Sequence, residues 1–136
     1  MYKTVVFDLD GTLLNTLTDL ADAGNRLCRK YGWPTHERQA YRYFVGNGIP
    51  KLVERLAPAD QRTPAVLEAA LADFKRDYGQ HLRDTTAPYP GIPEMLAKLK
   101  ANGVQLAVFS NKADALAKEV VKDYFGTQYF TIVRGQ

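Results

Sequence analysis

The chain has 136 residues, 46% of them hydrophobic and 24% charged, with a formal net charge of +3. That balance excludes a disordered or fibrous polymer and leaves room for one ordinary domain, or a small domain carrying a large insertion. The basic residues are scattered and no apolar stretch approaches the ~20 residues that span a bilayer, so neither a nucleic-acid nor a membrane partner is expected, and the protein is expected to be cytoplasmic.

Thr4-Val5-Val6-Phe7 is a short, β-branched, apolar run that reads as a buried strand. It ends in Asp8 and Asp10, and Gly11 then allows a turn. From Thr16 to Tyr31 the positions Leu17, Leu20, Ala21, Gly24, Leu27 and Tyr31 fall at helical spacing, until Gly32-Trp33-Pro34 stops the run. A second helix is expected over Glu37 to Phe44, and a third after Gly48 with Pro50 in its first turn. A fourth starts with Thr63 as N-cap and Pro64 at the first helical position, and carries the stripe Leu67, Leu71, Phe74, Tyr78 and Leu82. The single cysteine, Cys28, cannot close an internal disulfide, and His36 and His81 read as solvent-facing helix residues.

Ala87-Pro88-Tyr89-Pro90-Gly91 breaks the helical pattern and reads as a linker. Beyond it the grammar changes to a helix over Pro93 to Asn102 closed by Gly103, a strand over Val104 to Phe109, a helix over Ala113 to Tyr124 and a strand over Tyr129 to Val133. Strand, helix, strand is the signature of a parallel sheet, so the class is α/β. Residues 1–15 and 87–136 are expected to form the sheet core, and residues 16–86 an all-helical insertion.

In open parallel sheets ligands bind beyond the carboxyl ends of the strands, which is where Asp8 and Ser110 are expected. Two neighbouring carboxylates are costly unless compensated, and a hard cation such as Mg2+ would relieve the repulsion. With it, Asp8 can serve as a nucleophile toward phosphorus and Asp10 as a general acid and base, while backbone N–H groups near Leu9 and the Ser110 hydroxyl hold phosphoryl oxygens. A bare Asp-x-Asp also fits a strand that simply ends in a polar turn, and composition alone leaves both readings open.

The local pattern is longer than Asp-x-Asp. FDLDGTL at residues 7–13, together with VFSNK at 108–112, resembles the haloacid dehalogenase superfamily of aspartate-nucleophile phosphotransferases. The resemblance implies a partial Rossmann-like parallel-sheet core with an inserted helical cap. It also implies Asp8 as nucleophile, Asp10 as general acid and base, and Mg2+ held by the Asp8 carboxylate and the Asp10 backbone carbonyl. Ser110 would be a phosphate ligand, with Asn111 beside it.

FVGNGIPKLVERL at 44–56 and YPGIPEMLAKLKANG at 89–103 resemble the phosphoglycolate phosphatase subgroup, the first of them its cap substrate loop. This implies substrate contacts at Gly46, Asn47, Gly48 and Lys51, with a small phosphorylated substrate such as 2-phosphoglycolate. Physically, Gly46-Asn47-Gly48 precedes a helix N-terminus, a suitable place for a small anion, although a glycine turn between helices needs no ligand. Lys51 and Arg55 also fit an ordinary solvated helix face. Asn15-Thr16 stands where many relatives carry Asp-Ser, a departure at the hinge.

The superfamily's later lysine and acidic-pair motifs do not occur in this chain, which reads as an amino-terminal fragment, weakly active or inactive alone, whose exposed core favours a homodimer. A sugar-phosphate mutase of the same superfamily and a noncatalytic interaction module are the competing readings.

Overall fold

A computed structural model of the chain describes residues 3–136. In chain order the elements are β1 (Thr4–Phe7), β2 (Leu14–Asn15), α1 (Leu17–Tyr31), α2 (Tyr41–Phe44), α3 (Ile49–Leu56), α4 (Pro64–Gln80), β3 (Ala87–Pro88), α5 (Ile92–Ala101), β4 (Gln105–Phe109), α6 (Asp114–Phe125) and β5 (Phe130–Arg134). The chain divides into two compact units, one built from residues up to Asn15 together with Ala87–Gln136, the other from Thr16–Thr86.

The first unit is built on a parallel sheet in the order β1-β4-β5. Val5, Phe7, Leu106, Val108, Phe130 and Val133 pack with Leu96 of α5 and with Ala117, Val120 and Val121 of α6, forming an apolar core on one side of the sheet. An irregularity between β4 and β5 leaves Thr131 without a cross-strand partner, and its hydroxyl donates to the Leu106 carbonyl oxygen (3.1 Å). On the alternate positions Val6, Ala107 and Ile132 lie in register, and Val6, Phe109 and Ile132 are each about half exposed. Parallel sheets ordinarily have both faces covered. This one, among the described residues, keeps an apolar face partly open and β1 at its edge.

The segment read as a linker contains β3, which pairs antiparallel with β2 through Leu14 opposite Pro88 and Asn15 opposite Ala87. The two chain passages that enter and leave the insertion are therefore hydrogen-bonded neighbours. Proline within so short a strand left no strand signature in the sequence.

The second unit is all-helical. In α1 the expected apolar stripe is buried at Leu20, Ala21, Gly24 and Leu27, and it is joined by Ala23, Cys28 and a carboxylate, Asp19. Helix α4 begins as expected, with the Thr63 hydroxyl accepting from the Val66 N–H (3.3 Å), and buries Ala70, Phe74 and Tyr78. The helix expected over 37–44 is instead a 3-10 turn, Arg38–Ala40, running into the single-turn α2. That segment is held from outside its own sequence. Asn25 of α1 donates to the His36 carbonyl oxygen (2.8 Å), and its Oδ1 accepts from the His36 N–H (3.0 Å) and the Tyr41 hydroxyl (2.8 Å). His36 thus packs edge-on against Phe44 rather than lying on a solvated helix face.

A Cβ on Gly24 would meet the Tyr41 hydroxyl oxygen at 2.5 Å and two of its ring carbons at 2.6 and 2.9 Å, and Tyr41 is fully buried with its hydroxyl already committed. Gly24→Ala should gain about 1 kcal/mol of helix propensity and lose about 1–3 kcal/mol to overpacking. Thermal unfolding is expected to show a net loss, and a raised melting temperature would refute it.

Candidate active site

The site in the first unit is assembled at the carboxyl ends of two adjacent parallel strands. β1 ends at Phe7, opposite Val108 of β4, so Asp8 and Ser110 both leave the sheet on the same side. After Asp8 the chain coils on itself: the Leu13 and Leu14 N–H groups donate to the Leu9 carbonyl oxygen (3.0 and 3.1 Å), and the Gly11 N–H donates to Leu14 (2.9 Å). Gly11 sits at φ 82°, a conformation open to glycine at little cost. Leu9, Leu13 and Leu14 are fully buried, so the apolar side chains of FDLDGTL anchor the turn while its carboxylates stay outside the core.

Asp8 is exposed, and its Oδ1 accepts from the Leu9 N–H (2.8 Å). The backbone donor expected to hold a phosphoryl oxygen therefore holds the Asp8 carboxylate in this state. Asp10 is partly buried; its Oδ2 lies 3.2 Å from the Lys112 ammonium, while its Oδ1 is buried with no hydrogen-bond partner among the described residues. An orphaned carboxylate oxygen beside a second carboxylate fits a site that takes a hard cation. Among the described residues, where no group of three metal-ligating side chains occurs, Asp8 and Asp10 are the residues that would hold such a cation.

The loop after β4 is pinned from three directions. The Lys112 N–H donates to Ser110 Oγ (3.1 Å), leaving the Ser110 hydroxyl hydrogen available as a donor. The Ser110 N–H donates to the Arg134 carbonyl oxygen (2.8 Å), the Gln136 N–H to that of Lys112 (2.8 Å), and the Asp114 N–H to that of Gln136 (2.9 Å). Asn111 is exposed, with its Oδ1 accepting from the Gln136 side-chain amide (3.1 Å). The Lys118 ammonium and the Gly135 N–H hold the Asp114 carboxyl below the ordinary carboxylate range.

The expected cap residues lie in the second unit. Gly46 and Gly48 turn the chain at positive φ (107° and 89°) just ahead of α3. Arg55 is not simply solvated: its guanidinium donates to the Phe44 carbonyl oxygen (3.0 Å) and to Asn47 Oδ1 (3.0 Å), bracing the turn. Lys51 is more than half exposed and lies 3.4 Å from Glu54, an i,i+3 surface pair.

Sequence reasoning undervalued Lys112, Arg55 and Asp19, because the groups that hold each lie elsewhere in the chain. Only Lys112 had a local signal, its place in the SNK tripeptide.

The family profile described as Haloacid dehalogenase-like hydrolase matches residues 5–136. The chain belongs to this family. The phosphoglycolate phosphatase of Thiobacillus denitrificans is 34% identical over 134 residues, covering 96% of this chain and 59% of the relative. That of Neisseria meningitidis serogroup A is 35% identical over 136 residues, covering 98% and 58%. A crystal structure from Lactobacillus delbrueckii subsp. bulgaricus, described as a candidate phosphoglycolate phosphatase, superposes with a TM-score of 0.90 at 26% identity, covering 98% of this chain and 64% of that one. The chain thus spans about three-fifths of the length of the curated relatives it matches. As a haloacid dehalogenase-like hydrolase it has the α/β class expected from its strand-helix-strand pattern. None of the described helices is long and apolar enough to cross a membrane.

Proposed function

We propose that this chain carries the phosphoryl-transfer centre of a Mg2+-dependent phosphomonoester phosphatase acting on 2-phosphoglycolate or a similarly small phosphate. The observation that carries the reading is the convergence of Asp8, Asp10, Ser110 and Lys112 at the ends of β1 and β4. Similarity to curated phosphoglycolate phosphatases supports the substrate class.

The Asp8 carboxylate and the Asp10 backbone carbonyl would hold Mg2+, which supplies positive charge against the phosphoryl oxygens. An Asp8 oxygen forms a bond to phosphorus as the bond from phosphorus to the ester oxygen breaks, leaving an acyl phosphate on Asp8. Asp10 delivers a proton to the departing oxygen and then takes one from the water that hydrolyses the acyl phosphate. The Ser110 hydroxyl donates to a phosphoryl oxygen, and the Asn111 amide lies beside it. The Leu9 N–H, now bound to Asp8, becomes available to the phosphoryl group once that oxygen is esterified. Residues 16–86 would serve as the cap. There, Arg55 occupies Asn47 Oδ1 and so turns the Asn47 amide N–H groups toward a substrate acceptor such as a carboxylate, with Gly46 and Gly48 shaping the turn. Lys51 would add positive charge nearby.

A second reading, a noncatalytic module that binds a partner through its exposed sheet edge, draws on β1 at the edge and on the half-exposed Val6, Phe109 and Ile132 of the open sheet face. Phosphate release from 2-phosphoglycolate by the 136-residue chain, with and without Mg2+, separates the two. Slow, Mg2+-dependent release that falls to background in Asp8→Asn is expected. Absence of any Asp8-dependent release would overturn the catalytic reading for this chain.

A further inference from the structure

Lys112 is the one charged residue of the site that the proposed chemistry leaves without a task, and it is also the most buried. Its side chain is 2% exposed, against 25% for its partner Asp10. Burying an ammonium is costly unless a counter-charge meets it, so the position must gain something from being cationic. Lys112 is fastened at three points of its own length. Its N–H donates to Ser110 Oγ (3.1 Å), its carbonyl oxygen accepts from the Gln136 N–H (2.8 Å), and its ammonium reaches Asp10 Oδ2 (3.2 Å). The backbone of this residue therefore belongs to the loop after β4, while its charge belongs to the loop after β1.

We infer that Lys112 is the positioning residue for Asp10: by anchoring one carboxyl oxygen, it fixes the orientation of that carboxyl relative to Ser110. This rests on the phosphatase reading above. A free aspartate samples several rotamers, and only one presents its carboxyl to the ester oxygen while the Ser110 hydroxyl holds the phosphoryl group. Prior alignment of reacting groups contributes strongly to rate, and misplacement by about 1 Å costs on the order of 100-fold. The anchor matters most where proton delivery limits bond breaking. An alkyl phosphate, whose alkoxide is a poor leaving group, needs the proton as the P–O bond breaks. An aryl phosphate such as p-nitrophenyl phosphate expels a stable phenolate and needs it far less.

The test compares the full chain with Lys112→Met, Lys112→Arg and Asp10→Asn on 2-phosphoglycolate and on p-nitrophenyl phosphate, with Mg2+ present. Lys112→Met is expected to lower kcat/KM on the alkyl ester about 100-fold and on the aryl ester much less, because kcat/KM reports the bond-breaking step and leaves out the hydrolysis of the acyl phosphate that both esters share. Asp10→Asn should show the same ordering, and Lys112→Arg should recover part of the alkyl rate. Equal losses in kcat/KM on the two esters would overturn the inference and make Lys112 a charge for the phosphoryl group instead. Should the Met variant fail to fold, Lys112→Gln takes its place. If the parent chain releases no phosphate from either ester, the phosphatase reading fails for this chain, and the positioning claim is decided by NMR. The Asp10 side-chain carboxyl carbon and the Ser110 amide should then shift together in Lys112→Met, with amides of the helical unit unchanged; an unmoved Asp10 carbon would overturn it.

Discussion

Asp19→Ala is expected to destabilise the helical unit by about 3 kcal/mol, since each hydrogen bond to a charged group contributes roughly 1.5–3 kcal/mol and the loss removes the acceptor that Thr85 and the buried Thr86 share. Asp19 lies in the first turn of α1 and is 2% exposed. Its two oxygens accept from the Thr85 N–H (3.0 Å to each), the Thr85 hydroxyl (2.6 Å), the Thr86 N–H (2.8 Å) and the Thr86 hydroxyl (2.7 Å). Alanine would leave four donors facing an apolar methyl group. Asp19→Asn should cost nearly as much, because its amide N–H would point at other donors. Burial alone would raise the Asp19 pKa, but the hydroxyl and backbone hydrogen bonds from Thr85 and Thr86 together hold it below the ordinary value. A folded-state pKa below the unfolded one means that this stabilisation is complete above about pH 4 and is lost as the pH falls through the folded value. Denaturant titrations down an acid series should therefore show a steeper decline for the parent than for Asp19→Ala. Parallel declines would show that Asp19 is not a source of acid sensitivity.

Gly135→Ala should disorder the loop that carries Ser110. A Cβ at Gly135 would overlap the Lys112 carbonyl oxygen and sit 2.7 Å from both the Cα and the nitrogen of Asp114. These are backbone atoms, so no side-chain rotation can relieve the overlap. The strain falls on the bonds that fasten the loop: Gln136 N–H to Lys112, Asp114 N–H to Gln136, and Gly135 N–H to Asp114 Oδ1 (2.9 Å). Overpacking of this kind costs about 1–3 kcal/mol, and the lost hydrogen bonds about 1 kcal/mol each. Amide exchange at Ser110, Asp114 and Gln136 should accelerate by at least about tenfold, which is what ~1.4 kcal/mol of local opening produces. Unchanged protection there would mean that the backbone relaxes around the methyl group.

The parts of this fold that were legible in the sequence are those with local causes. The strand at Thr4–Phe7, though half exposed rather than buried as expected, the period of α1, the Thr63-Pro64 start of α4 and the close of α5 near Gly103 are matters of propensity and capping, decided within a few residues. Asp8, Asp10 and Ser110 were legible because they follow directly from strand ends that the pattern located. What escaped depends on distant partners. Asp19 looks like an ordinary first-turn acid until Thr85, 66 residues away, is seen to bind it. From sequence Lys112 fits a contact to the phosphate or the cap as well as a solvated lysine after a strand end, and its ion pair with Asp10 shows only once the loop after β1 is in place. The 37–44 segment follows Asn25 rather than its own helix propensity, and Arg55 takes its role from a turn eight residues back.

The pairing of β2 with β3 has a consequence for how the chain closes. Were residues 16–86 a featureless loop, joining Asn15 to Ala87 would carry the entropy of confining a long flexible segment. Loop entropy grows as (3/2)RT ln n, so shortening that segment to a hairpin-like connection saves about 2.5 kcal/mol. The helical unit makes that saving available, because the Asp19 carboxylate binds Thr85 and Thr86 close to where the chain enters at Thr16. Once the helices have folded, their two ends are already neighbours. The sheet then pairs Asn15 with Ala87 as if a tight turn joined them, and the large insertion burdens its host little more than an ordinary hairpin would.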